Sequence, residues 1–162
     1  WNDPDMLVVG QVGWGRPHPT HLTPNEQLTH ITLWSLQSAP LLIGCDMTQL
    51  DPFTRDVLSN DEVLAVNQDP LGKPAGRKAK EGMLEVWARP LADGTVAVGL
   101  FNRGGSAAEV TAKWSDVGVQ GEQPVRDLWR QKDLGTFADS FKATVPRHGA
   151  VLVKIGKPAQ EP

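Results

Sequence analysis

Cysteine, long apolar runs and blocks of like charge are all scarce in this sequence. The only cysteine is Cys45, which excludes an internal disulfide and a paired-cysteine metal site. No apolar run approaches the roughly 20 residues that span a bilayer, and no basic block stands out in a chain of net charge −3. We therefore expect neither a nucleic acid nor a membrane surface as a partner.

Two further absences concern targeting and cofactors. No charged segment followed by an apolar one opens the chain, so no signal peptide is visible at its start and the compartment stays open. The glycines of VGQVGWG precede a long loop and not a helix, so they do not meet the dinucleotide-binding pattern. We therefore expect no cofactor.

The composition suits a globular chain whose two halves differ in pattern. The 162 residues are enough for one ordinary domain or parts of two, and 40% of them are hydrophobic, enough for a packed core. Before residues 69–82, short apolar runs alternate with helical patterns, which indicates a parallel sheet or barrel. After them, strands and turns follow one another, which indicates an antiparallel sandwich.

Two short apolar runs mark the first half, at Met6–Gly10 and Leu41–Gly44. Runs of this length suit strands that are buried on both faces, as in parallel sheets. A helical pattern follows each run, so the order is strand, helix, strand, helix. This order is typical of the βα units of a parallel sheet or barrel.

Helix starts in the first half are marked by capping residues. Thr23 and Glu26 form a capping box around a proline at the first helical position, which predicts a helix over residues 24–38. Asp51, followed by a proline, predicts the start of a second helix. Ser59 predicts the cap of a third.

The second half carries hairpin and strand signals. Asp93-Gly94 lies between the strand patterns MLEVWARP and TVAVGLFN, and this dipeptide is a strong hairpin turn signal. In the last predicted strand, Val151, Val153 and Ile155 share one face. Further strands are predicted at AAEVTAKW, VRDLWR, KDLGTF, FKATVP and GAVLVKI.

Asp3 and Asp5, on either side of a proline, are the most suggestive carboxylates. Residues two apart on a strand share a face at roughly 6.6 Å, whereas a retaining glycosidase holds two carboxyls about 5–5.5 Å apart with the sugar between them. Neighbours on one strand cannot easily flank a substrate, so geometry argues against both being catalytic. They fit a turn or strand terminus. At the rim of a barrel, one carboxylate could instead bind hexose hydroxyls, with Trp1 against the ring.

Other residues with metal-binding or nucleophilic chemistry lack the pattern such sites need. His18 and His21 have a plausible spacing for two ligands, but His30 does not complete a set, so a solvated loop is the simpler interpretation. Cys45 is most simply a small buried side chain. Asp46 follows a predicted strand, and its carboxylate could hold other site residues in position without contacting the substrate. We expect no metal.

Five motifs carry a family resemblance. WNDPDMLVVG, APLLIGCDM, LSNDEVLAVNQDPLG, LEVWARPLADGTVAVGLFNRG and VPRHGAVLVKI occur in this order. Together they resemble the C-terminal part of glycoside hydrolase family 27, the melibiase-type α-galactosidases. The resemblance extends from residue 1 to about Ile155, and the form of the motifs is similar to bacterial members.

The resemblance implies a fold of two parts, α/β followed by all-β. Residues 1–75 would be an incomplete C-terminal portion of a (β/α)8 TIM barrel, about strands 7 and 8, and residues 76–157 an antiparallel β-sandwich. A closed barrel needs all eight strands. We therefore expect the isolated chain to keep its sandwich and to hold its first ~70 residues loosely.

The resemblance also implies a division of roles in the site. Family members remove terminal α-linked galactose with retention, using one aspartate on the fourth strand and one on the sixth. Both strands would precede Trp1, so no catalytic residue is expected here and the isolated chain should be inactive. Asp5 and Met6 match positions that line the galactose pocket, and Trp1 and Asp3 would support its wall.

Two alternatives stay open. Within the family, an α-N-acetylgalactosaminidase would share these motifs, because residues on earlier strands select the group at C2. In another class, the sandwich would be a non-catalytic carbohydrate-binding or scaffold module. Exposed tryptophans on one sandwich face would favour that alternative. The candidates are Trp87, Trp114 and Trp129, although core packing is the simpler role for each.

The expected partner is an α-galactoside sugar. A homo-oligomer is compatible with the sequence. A secreted or periplasmic location is favoured by analogy with bacterial glycosidases.

Overall fold

A computed structural model describes residues 3–158 of the chain. Trp1 therefore lies outside the described residues. Within that range the helices are α1 (Pro24–Leu36), α2 (Pro52–Ser59), α3 (Asp61–Asn67) and α4 (Trp114–Val117), with a single 3-10 turn at Met47–Gln49. The strands are β1 (Gln11–Val12), β2 (His18–Pro19), β3 (Gly76–Glu81), β4 (Leu84–Pro90), β5 (Val96–Asn102), β6 (Ala108–Lys113), β7 (Gln123–Asp127), β8 (Lys132–Phe137), β9 (Ser140–Val145) and β10 (Ala150–Ile155).

The predicted capping box of α1 is present. Thr23 Oγ1 accepts the Glu26 N–H, and Glu26 Oε2 accepts the Thr23 N–H at 2.8 Å. Asp51 caps α2 as predicted. The prediction for α3 was wrong by one residue, because Asn60 Oδ1 accepts the Val63 N–H while Ser59 ends the preceding helix.

The two predicted barrel strands are extended segments joined by one parallel bridge, between Leu7 and Ile43. The Leu7 N–H donates to Leu42 O at 2.7 Å, and Gly44 donates back to Leu7 O at 3.1 Å. The two segments share this one bridge, so neither is a regular strand over its predicted length. The chain turns at Gly10 into the two-stranded β1–β2 hairpin, which was not predicted.

The second half is an antiparallel sandwich. One sheet has the strand order β3-β4-β5-β10-β7-β8, and β6 pairs with β9 in the other. Between their facing sides lies an apolar cluster that includes Val98, Leu100 and Phe141. The hairpin predicted at Asp93-Gly94 joins β4 to β5. The strand β3 and the one-turn helix α4 were not predicted.

The large sheet is covered on its other face by the helices of the first half. A second apolar cluster joins Ile31 and Leu36 of α1 and Val63 of α3 to Phe101 and Leu152 of the sheet. The described chain is therefore a stack of three layers, which are helices, large sheet and small sheet. The boundary between the two parts, at residues 75 and 76, stays a prediction.

A buried arginine connects the helices to the sheet. Arg89 of β4 has no solvent-exposed surface. Its Nη1 donates to Ser35 O at 3.1 Å, to Val66 O at 2.9 Å and to Ser38 Oγ. Its Nη2 lies 3.9 Å from Asp69 Oδ1. A cation near the C-terminal ends of α1 and α3 is favoured by both helix dipoles.

Candidate functional site

Asp5 has an unusual backbone conformation. Its φ is +72°, in the left-handed region that non-glycine residues rarely adopt, although Asp tolerates it better than most. The Asp5 N–H donates to Asp3 Oδ1 at 3.0 Å, and Asp5 Oδ1 accepts the Met6 N–H at 2.8 Å. Its carbonyl accepts the indole N–H of Trp34 at 3.2 Å. These contacts hold an exposed carboxylate in a fixed, strained turn, a feature found at functional sites.

Met6, the other predicted pocket residue, packs on the second barrel segment. A Cβ added at Gly44 would lie 2.8 Å from Leu7 O and 3.0 Å from Met6 Cβ. Only glycine at this position lets the two segments approach so closely. Met6 is thereby held beside Asp5, on the side of the segments that the helices do not cover.

That uncovered side is apolar. Leu7 and Val9 point into the helix layer and are buried, whereas Val8 is 43% exposed and Leu42, which precedes the bridge partner of Leu7, is 48% exposed. Alternate residues of a strand point to opposite faces, so Val8 belongs to the face opposite Leu7. In a closed barrel, one face of each strand meets the helices and the other faces the interior.

Helix α1 supports the site segment through His30 and Trp34. His30 Nε2 accepts the Val8 N–H at 3.2 Å, and the two aromatic rings meet edge to face with centroids 4.0 Å apart. Burial lowers the pKa of His30, which favours the neutral form that can accept this hydrogen bond. From the sequence alone, His30 is a candidate only for metal binding. The helical spacing of His30 and Trp34, four residues apart, was the available signal.

The carboxylate of Asp46 accepts hydrogen bonds from two residues of the turn that follows it, Thr48 and Gln49. Its Oδ1 accepts the hydroxyl of Thr48 at 2.6 Å and the Thr48 N–H at 2.9 Å, and its Oδ2 accepts the Gln49 amide at 2.7 Å. These hydrogen bonds, those of Thr48 above all, lower the pKa of Asp46. Asp46 is thus the cap of the 3-10 turn after the second segment. Beside it, partial burial raises the pKa of the Cys45 thiol, which disfavours the reactive thiolate.

The loop histidines stack on each other. The rings of His18 and His21 lie 5.1 Å apart with an interplanar angle of 25°. Within residues 3–158, no three His, Cys, Asp or Glu side chains are grouped so that they could hold a metal ion. Each helix between residues 3 and 158 is too short or too polar to span a bilayer.

The site as described is an open wall and not a pocket. A cleft of about 580 Å³ lies at the seam between helices and sandwich, lined by Phe53, Asp127 and Trp129 among others, and Asp3, Asp5 and Met6 are not among its lining residues. Asp5 can accept hydrogen bonds from hydroxyl groups, with Met6 as an apolar neighbour. Asp3 supports the Asp5 backbone. Trp1, the fourth predicted site residue, lies outside the described residues.

Comparisons with known proteins match both halves. Residues 1–69 match the family described as alpha galactosidase A, and residues 81–155 match the alpha galactosidase C-terminal beta sandwich domain. Alpha-galactosidase 2 of Arabidopsis thaliana is 45% identical over 157 residues, which are 96% of this chain and 38% of that protein. The chain therefore spans well under half the length of this curated relative.

Solved structures show the same architecture. A family 27 β-L-arabinopyranosidase from Geobacillus stearothermophilus superimposes with a TM-score of 0.91 at 31% identity, covering 100% of this chain and 38% of that one. Alpha-galactosidase I from Mortierella vinacea gives a TM-score of 0.87 at 37% identity, covering 100% of this chain and 41% of that one. The predicted fold, the last barrel units followed by an antiparallel sandwich, is confirmed. The chain belongs to glycoside hydrolase family 27, the melibiase-type α-galactosidases, and corresponds to the C-terminal part of that family's architecture.

Proposed function

We propose that this chain supplies one wall of the sugar site of a retaining glycoside hydrolase that removes terminal α-linked galactose. The nucleophile and the acid/base aspartate belong to barrel strands that precede residue 1, and no residue of this chain is catalytic. Asp5 and Met6 line the galactose pocket. Asp3 and Trp1 support that wall, Asp3 by holding the Asp5 backbone.

The observation that carries the proposal is the conformation of Asp5. A left-handed aspartate costs free energy, yet three hydrogen bonds hold it there with its carboxylate exposed. It lies at the edge of an uncovered apolar face, where further barrel strands would complete a cavity. A carboxylate in that place accepts hydrogen bonds from sugar hydroxyls while Met6 excludes water beside it.

The test is hydrolysis by the longer protein that includes the preceding strands. We expect Asp5→Asn to lower kcat/KM for an α-galactoside by about 100-fold, because hydrogen bonds to a charged group contribute about 1.5–3 kcal/mol each. Asparagine tolerates the left-handed conformation, so the fold should be kept. Asp56→Asn, at an exposed helical position, is the matched control and should leave activity unchanged. Equal activity of both variants would refute the role of Asp5.

The isolated chain should show no turnover. Retaining hydrolysis needs two carboxyls that flank the reacting carbon of the sugar. Asp3 and Asp5 instead lie side by side in one short turn. Purified chain and an aryl α-galactoside provide the assay. Measurable hydrolysis by the chain alone would contradict this part of the proposal.

Relatives of this chain differ in the sugar that their names specify. The named relatives include both α-galactosidases and a β-L-arabinopyranosidase, whose sugar is the galactose-configured ring without its hydroxymethyl group. A similar C-terminal part thus accompanies different specificities, which supports selection by earlier strands. Galactose is our first choice, with α-N-acetylgalactosaminidase as the alternative, and paired assays with the two aryl glycosides distinguish them.

The alternative of a carbohydrate-binding sandwich is less well supported by the contacts of its tryptophans. Trp114 is buried, and its indole N–H donates to Gly121 O at 3.0 Å. Trp87 donates to Glu85 at 2.9 Å, and Trp129 donates to Thr32 at 2.8 Å. These contacts favour core packing for all three. A bacterial source, a secreted or periplasmic location and a homo-oligomer stay predictions.

A further inference from the structure

Trp14 differs from the other described tryptophans. It is 91% exposed, at the tip of the β1–β2 hairpin. The indole N–H groups of the others donate to acceptors within the protein, as described above for Trp34, Trp87, Trp114 and Trp129. Leaving so large an apolar ring in water is unfavourable, and exposed tryptophans are enriched at contact sites.

The hairpin that carries Trp14 is closed by strand pairing and a tight turn. Val12 pairs with His18 across the two strands. Gly13, with φ of +102°, approaches so closely that an added Cβ would lie 2.7 Å from Arg16 O and 3.0 Å from the His18 ring. His18 in turn stacks on His21.

The root of the hairpin adjoins the candidate site. Gln11 O accepts the Asp46 N–H at 2.8 Å. Two residues before Asp46, Gly44 holds Met6 against the second barrel segment. Met6 and the hairpin root therefore contact the same three-residue stretch. The hairpin that carries Trp14 therefore starts from the stretch that Met6 contacts.

We infer that Trp14 is a stacking platform for a sugar ring of the leaving group, the part of the substrate beyond the terminal galactose. The inference rests on the proposed function and assigns a substrate class to it, namely oligosaccharides in preference to small aglycones. One face of a pyranose ring is lined by C–H groups, which pack on an indole face while the hydroxyls stay in water. A single exposed indole suits such a ring, which needs contact area and no charge.

The test compares two substrates in the longer protein. α-D-Galactosyl fluoride has a leaving group too small to reach the hairpin, whereas raffinose has a disaccharide leaving group. We expect Trp14→Ala to lower kcat/KM for raffinose by about tenfold, the size of a good aromatic contact, and to leave the fluoride within about twofold. Trp14→Phe should recover part of the raffinose activity. Met83→Ala, at an exposed apolar position on the β3–β4 turn, should change neither.

The other possible results distinguish a failure of the Trp14 platform from a failure of the proposed function. Normal hydrolysis of both substrates by Trp14→Ala would overturn the platform and leave the proposed function standing. Equal loss on both substrates with a lower Tm would show a structural role and would also overturn it. Hydrolysis of neither substrate by the unsubstituted protein would overturn the proposed function and the platform with it.

Discussion

The two regions of the molecule bury similar apolar side chains in very different surroundings. Residues 3–75 contain two extended segments joined by the single bridge between Leu7 and Ile43, with Val8 and Ile43 exposed. In the region from Gly76 onward, every strand pairs along a register, and the central strands β5 and β10 are covered on both faces. The difference shows that a side chain can be fully buried even where the sheet that carries it is incomplete.

The helices are better covered than the barrel segments but less completely than the sandwich. α1 and α3 use the large sheet as one wall, so their inner faces are covered although the barrel segments beneath them are open. We therefore expect stability to fall in three steps, from the sandwich to the helices and then to the barrel segments.

The largest contrast is expected between two buried leucines. Leu100 lies between the two sheets, and Leu7 lies under α1, both almost fully buried. Leu100→Ala should lower the free energy of global unfolding by about 3–4 kcal/mol, as for a core cavity. Leu7→Ala should lower it by less than about 1 kcal/mol, because its segment opens before the rest unfolds. Urea denaturation followed by circular dichroism measures both, and equal losses would remove the contrast.

Arg89 should be the most sensitive polar position at the seam. Arg89→Met leaves the carbonyls of Ser35 and Val66 and the Asp69 carboxylate without their cation. We expect a loss of about 3 kcal/mol, since removing one member of a buried charged group leaves the others unpaired. Arg55→Met, at an exposed position on α2, is the control and should change stability by less than about 0.5 kcal/mol. A neutral Arg89→Met would show that the seam does not depend on this side chain.

Hydrogen exchange tests the three steps directly. The amides of Leu7 and Gly44 should be about 100-fold less protected than that of Leu152 in the centre of the large sheet, a difference of about 2.7 kcal/mol. Amides of α1 should fall between them. Equal protection over residues 6–44 and 84–155 would contradict the ranking.

The smallest expected effect concerns the cap of α1 and depends on pH. Hydrogen bonds from the Thr23 backbone and hydroxyl, and from His148, lower the pKa of Glu26 from 4.5 to about 2. A carboxyl with a lowered folded-state pKa stabilises the fold above its unfolded pKa, and the contribution is lost as pH falls from about 4.5 to about 2. Glu26→Gln should therefore have a lower Tm than the unsubstituted chain at pH 6, with the difference shrinking below pH 4.5.

A control for this effect is available on the sandwich. Glu109→Gln removes an exposed carboxylate that pairs with Lys142 at 3.2 Å across the small sheet. Its Tm difference should be small at every pH, as for surface ion pairs in general. A pH-independent difference for Glu26→Gln would show that its carboxylate charge does not stabilise the cap.

Features set by neighbouring residues were predictable from the sequence. The capping box of Thr23 and Glu26 and the Asp93-Gly94 turn involve groups within a few residues of one another, and both are present. Ser59 and Asn60 are both good caps, so the choice between them depends on where α2 ends. Asn60 also donates to Leu128 O, a contact 68 residues away.

Features set by distant residues were not predictable. Arg89 lies in a strand pattern that does not reveal its burial, because its acceptors are 23 and 54 residues away. The left-handed φ of Asp5 depends on Asp3 nearby but also on Trp34, which is 29 residues away. The motif that carries the family resemblance identified Asp5, but only the fold shows what holds it.

The position of β10 has a consequence for biosynthesis. It is the last strand of the described chain, yet it lies between β5 and β7 in the middle of the large sheet. While the ribosome is still translating the segment before Ala150, the nascent polypeptide can form hairpins but cannot complete the surface on which α1 rests. A message cut short by a dozen codons before Ile155 would therefore yield a product with its two half-sheets unjoined, and such a product would be a substrate for quality-control proteases.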